Sequence, residues 1–197
     1  MKKKFLSRTY LLGLFAVFFA PLLFAMWLYF GPNSWLTSET KSHGVLIQPP
    51  RPLEEFSITS VEGNIWTYEQ FLGKWTLLYI GNERCDLFCE ANLFKMRQVR
   101  LALGRDSGRI QRKYVGIGEY ADAENFSGIF ENYPDMQVTW IAQTQFQLNL
   151  PQFKGLDEYV IYLIDPLGNL MMCYSKYATA KGMKADLKRL LKISKIG

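Results

Sequence analysis

Two cysteines stand four positions apart in Cys85-Asp-Leu-Phe-Cys89. On one helical turn, side chains at that spacing share a face, so the two sulfurs can close a disulfide or share a soft metal ion. Thiolate, not thiol, is both nucleophile and ligand, and a helix N-terminus favours it. Arg84 pulls the same way, whereas Glu83, Asp86 and Glu90 oppose it. The spacing also suits two structural thiols, so the surrounding elements and the compartment must decide. Cys173 and His43 complete the inventory of three cysteines and one histidine. A four-ligand zinc site would need every one of them, and no pair has finger spacing. His43 lies before a proline-rich stretch and reads as an exposed linker residue, which leaves Ser-His-Asp catalysis without its base. Gly104 and Gly108 lack the Lys-Ser/Thr signature of a phosphate loop.

The elements around the pair give it a definite place. Residues 75–80 form a continuous apolar run between Gly73 and Gly81, as a buried central strand would. After the cysteines, Leu93, Met96, Val99 and Leu103 recur at helical spacing, predicting a helix from about 89 to 103 that stops at Gly104. Upstream, residues 56–66 read as a hairpin turning at Glu62-Gly-Asn64, followed by a helical turn to Phe71. Downstream come a strand from near Arg112 to Ile117, a helix over 123–133 ended by Pro134, and an ambiguous stretch over 138–153. A hairpin then joins 159–166 to 170–174. Strand alternation puts Met171 and Cys173 on one face and Met172 on the other, all as core residues. The closing helix, from about 181, buries Met183, Leu187, Leu190 and Leu191, and turns Lys184, Lys188, Lys192 and Lys195 to solvent. This order describes an α/β domain with a central mixed sheet and an N-terminal β-hairpin. The cysteines sit at the carboxyl end of a strand, where function concentrates.

The net charge of +5 sits at the N-terminus: Lys2, Lys3, Lys4 and Arg8 precede any acid, and the other 19 basic residues face 18 acidic ones. A nearly neutral body gives nucleic acid no electrostatic footprint. Residues 11–30 carry no charge, enough for a helix across a hydrocarbon core of about 30 Å, with Pro21 inside. The run is too long for a signal peptide and lacks an A-x-A cleavage site. We therefore expect a cytoplasmic N-terminus over 1–8, one transmembrane anchor over 9–30, a Pro-rich linker over 31–52 and a globular domain over 53–197. The positive residues hold the N-terminus in the cytoplasm, which in a bacterium places the anchor in the inner membrane and the domain in the periplasm. Disulfides persist there.

Phe56-x-Ile with Gly63, Gly73-Lys-Trp-Thr-Leu-Leu-Tyr-Ile-Gly81, Cys85-x3-Cys89 and Tyr162-Leu-Ile-Asp-Pro-Leu-Gly168 together resemble the Sco/SenC family of membrane-anchored, thioredoxin-like proteins. The similarity runs from about residue 56 to 191. It implies a thioredoxin-like domain that assists cytochrome c oxidase assembly, with subunit II or another assembly factor as partner. Its members bind copper through two Cys and one His, and deliver it to the CuA site or reduce that site's thiols. The chain departs from the pattern in three places. Asp86 stands where the family has Pro, no His occupies the stretch 156–159, and Gly116-Ile-Gly-Glu-Tyr-Ala-Asp122 replaces an acidic, proline-containing segment. Without the His, Cys85 and Cys89 suit Cu(I) rather than Cu(II), because two soft sulfurs can suffice for the former. Asp157 and Glu158, hard carboxylates, would add little. As a redox pair, Cys85 at the loop end would attack and Cys89 would resolve. A general thiol-disulfide oxidoreductase and a non-catalytic scaffold with a structural disulfide are the competing readings.

Overall fold

The computed structural model describes residues 2–30, 42–82, 85–118, 128–153 and 160–196. It divides into two units, Met1–Lys41 and Ser42–Gly197. In the first, helix α1 (Lys2–Phe30) runs through Pro21. The side chains described on it, at Tyr10 and 13–27, are all exposed. Among the described residues no helix is long and apolar enough to cross a membrane.

The second unit is built on a six-stranded mixed sheet in the order β1 (Val45–Pro52), β8 (Asn169–Tyr174), β7 (Ile161–Ile164), β4 (Trp75–Gly81), β5 (Ile110–Ile117) and β6 (Met136–Ile141), with a separate hairpin of β2 (Ser57–Thr59) and β3 (Ile65–Thr67). Strand β4 (Trp75–Gly81) runs parallel to β5 (Ile110–Ile117) and antiparallel to β7 (Ile161–Ile164). Strand β6 (Met136–Ile141) extends the parallel side. Two helices, α2 (Leu87–Ala102) and α4 (Ala180–Ile193), pack on one face; α3 (Gln143–Asn149) follows β6. Central position explains the unbroken apolar run of β4: Trp75, Leu77 and Tyr79 enter the core beneath α2 and α4, while Leu78 enters the other core with Phe56, Ile58, Trp66 and Phe71. The ambiguous stretch resolves into β6, α3 and a 3-10 turn at Pro151–Phe153. Of the helix expected over 123–133, residues 128–130 are helical and 123–127 lie outside the described residues.

Two readings are corrected. The Pro-rich linker does not extend to residue 52, because Val45–Pro52 is strand β1, antiparallel to β8 (Asn169–Tyr174) at the sheet edge. An edge strand has one side free of ladder bonds, so prolines fit there, and the register shifts between Leu46 and Arg51 across them. Gly44 admits the chain: a Cβ there would lie 2.6 Å from Met172 Sδ and 2.7 Å from the Tyr174 ring. Strand β8 departs from strict alternation as well. Leu163 pairs with Met172 and Ile164 with Leu170, so Met171 is an extra residue in a bulge. Alternation therefore slips, and Met171 packs toward the α2/α4 core with Met172, whereas Cys173 packs toward the opposite one.

Candidate functional site

Cys85 and Cys89 are joined in a disulfide, with Cα atoms 5.1 Å apart. Asp86 sets this geometry. It is the N-cap of α2, and its Oδ1 accepts the backbone N–H of Phe88 at 3.1 Å and of Cys89 at 3.0 Å. An N-terminal Asp satisfies donors that have no partner within the helix and starts α2 two residues before the expected position. The signal was present in the sequence as an Asp directly ahead of the apolar period. Helical phase then puts Cys89 in the core with Leu93 and Met96, at 3% exposure, and leaves Cys85 half-buried at the rim.

The floor of the site is the carboxyl end of β4. Tyr114 of β5 crosses beneath Gly81, where a Cβ would collide with the phenol. Burial, together with neighbouring Tyr79, holds the Tyr114 phenol above its ordinary range. On one flank, Lys95 Nζ reaches Asn92 Oδ1 at 3.2 Å and the Lys176 carbonyl at 3.1 Å, tying the turn after β8 to α2. Burial lowers the Lys95 pKa. Lys176 Nζ lies 5.0 Å from the ring centroid of Phe88, the residue before Cys89, and 5.4 Å from that of Tyr177, a cation over aromatic rings.

Of the described residues singled out from the sequence, the structure brings Cys85, Asp86 and Cys89 together and sets Cys173 and His43 apart. Cys173 packs on the sheet face opposite Cys89. His43 is exposed, but it belongs to the start of the domain, not to a tether: its N–H donates to Asp186 Oδ2 at 2.8 Å, and the Gly44 N–H to the same oxygen at 3.0 Å. Among the described residues no group of three His, Cys, Asp or Glu could hold a metal. Glu83, Arg84, Asp157 and Glu158 lie outside those residues. Asp186 itself was not anticipated. It occupies the apolar face of α4, three residues after Met183, and is buried there. Burial, then the Asp186 carboxylate, raises the pKa of the buried Tyr174 phenol.

Residues 75–194 match the family described as transmembrane-like, thioredoxin-like, C-terminal domain. Among solved structures, copper-bound ScoI of Bradyrhizobium japonicum is similar at 21% identity and a TM-score of 0.53, over 69% of this chain and 97% of that one. Copper-bound yeast Sco1 is similar at 17% identity and a TM-score of 0.60, over 74% and 91%. A thiol:disulfide interchange protein from Bacteroides sp. shares the fold at 13% identity and a TM-score of 0.56, again over 74% and 91%. No curated protein sequence matches. The chain belongs to the transmembrane-like, thioredoxin-like C-terminal domain family, and its fold is that of the Sco/SenC proteins.

Proposed function

We propose that this chain is a membrane-anchored, Sco-like assembly factor for cytochrome c oxidase, acting by thiol exchange at Cys85–Cys89 on the thiols of the CuA site of subunit II. The observation that carries this reading is the asymmetry of the pair: a half-buried Cys85 bonded to a buried Cys89 at a capped helix start. In the reducing direction, the Cys85 thiolate attacks a partner disulfide, forms a mixed disulfide and releases one partner thiolate. Cys89 then attacks Cys85 Sγ, closing the internal disulfide and freeing the second partner thiolate. Two electrons pass to the partner, and a separate dithiol donor must reopen the pair.

Copper as cargo is the second reading, favoured by the copper-bound Sco structures that share the fold. Once reduced, Cys85 and Cys89 offer two soft sulfurs, with no His, Cys, Asp or Glu completing a group of three among the described residues, a set suited to Cu(I). Asp86 is no substitute, because its Oδ1 is engaged by two backbone N–H groups and carboxylate is a hard ligand. Helix α1 supplies the anchor in this proposal, with the domain in the periplasm. Both readings require both sulfurs. Oxidase assembly in cells is expected to fail with Cys85→Ser or Cys89→Ser, and full assembly with the double Ser variant would overturn both in favour of a scaffold. Anaerobic titration of the reduced protein with Cu(I) against a chelator separates them. Tight one-to-one binding lost in the double variant supports the cargo reading, and equal weak binding leaves thiol exchange.

A further inference from the structure

Helix α2 buries Cys89, Leu93, Met96 and Val99, yet its opposite face is not polar. Leu87, Phe94 and Leu101 are 82%, 54% and 55% exposed. They recur every seven residues, which at 100° per residue sets them in one line diametrically across from the buried face, with exposed Ala91 between the first two. One flank of this line carries exposed Glu90 and Arg97, again seven apart. The described ion pairs involve neither.

The pattern is nearly symmetric about Phe94. Leu87 and Leu101 lie seven residues to either side, and Glu90 lies four before, where Arg97 lies three after. We infer that α2 is a contact between two copies of this chain, packed antiparallel about a two-fold axis at Phe94. A two-fold of that kind keeps each flank on its own side while reversing the helix direction. Leu87 then meets the partner's Leu101, the two Phe94 rings meet at the axis, and Glu90 comes level with the partner's Arg97. A parallel pair would turn the charged flanks away from each other, so charge complementarity selects the antiparallel one. The contact spans roughly 21 Å of helix, short for a protein interface, and makes a readily reversible dimer. It does not depend on the chemistry assigned to the cysteines.

Sedimentation equilibrium of the full chain in detergent, over about a hundredfold range of concentration, tests this. The wild type is expected to move between monomer and dimer. Phe94→Lys, at an exposed site, should raise the dissociation constant by at least about tenfold with unchanged circular dichroism. Glu90→Arg and Arg97→Glu should each weaken the dimer, and the two together should restore it. A monomer throughout the range would overturn the inference and leave the stripe to a different protein. A dimer indifferent to Phe94→Lys would overturn it too, as would a double reversal no better than the single ones.

Discussion

Cys85 and Cys89 differ in what an incoming thiol can reach. Cys89 is held in the core by the phase of α2, so the proposed exchange would have to begin at Cys85. With Cys89→Ser, Cys85 is expected to capture glutathione from its disulfide and keep it, whereas Cys85→Ser should capture little. Mass spectrometry of the non-reduced protein reads both, and equal capture would contradict the assignment. A second residue makes its own demand. Lys113 on β5 is buried, donates to Gln137 Oε1, and lies 4.9 Å from the Phe71 ring centroid. Burial lowers its pKa from 10.5 to about 8. Between those values the unfolded chain holds a proton that the folded chain does not, so Lys113 makes stability rise with pH across that window and penalises folding below it. Relative to Lys113→Met, wild-type stability should therefore gain up to about 3 kcal/mol from pH 7 to 10 by chemical denaturation. A flat difference would mean that Lys113 keeps its ordinary proton affinity.

Elements were legible where one physical requirement dominated. The run 75–80 shows a strand buried on both faces, and the two apolar runs around Leu167-Gly-Asn169 show a hairpin, because in each case burial dictates composition. Strand β1 was not legible, since prolines and polar residues suggest a tether and nothing local shows that β8 has a free edge. What fixes the strand lies 142 residues away. Asp186 Oδ2 accepts the Gly44 and His43 N–H groups, clamping the entry of β1 to α4. An acid on the apolar face of α4 was the available sign, and it becomes informative only once its partners are known. The Met171 bulge escaped for the same reason, because an extra residue obeys pairing rather than sequence period. Asp186→Ala removes the acceptor of two N–H groups at once, and a loss of about 2–3 kcal/mol is expected. Amide exchange at Gly44 and Val45 should accelerate beyond that of Leu77 and Leu163 in the central strands. Uniform acceleration would show that β1 opens only with the whole domain.

At the scale of the whole molecule, the chain's two units differ in how they treat apolar side chains. The domain from residue 42 onward buries most of its apolar residues in two cores, whereas the described side chains of residues 13–27 are exposed along α1 although most are apolar. Lys2, Lys3, Lys4 and Arg8 precede that run, and positive residues beside a span are retained on the cytoplasmic side. Export, as proposed, would suit a disulfide in which Cys85 is accessible, because a cytoplasmic one would be kept reduced. In the proposed function anchor and chemistry are coupled, because the exchange needs the domain where oxidised partners persist and where its thiols can face the proposed partner. Full-length protein is expected to stay with carbonate-washed membranes, and removal of residues 2–30 should release it. Alkaline phosphatase fused after Gly197, active only when exported, should be active in the wild type. It should lose much of that activity when the four basic residues become Gln, because the bias that orients the helix is then gone. Equal activity in both fusions would show that these charges do not set the orientation. Protease resistance of the domain in cells with permeabilised outer membranes would place it on the cytoplasmic side, and with it the cysteines away from the partner proposed for them.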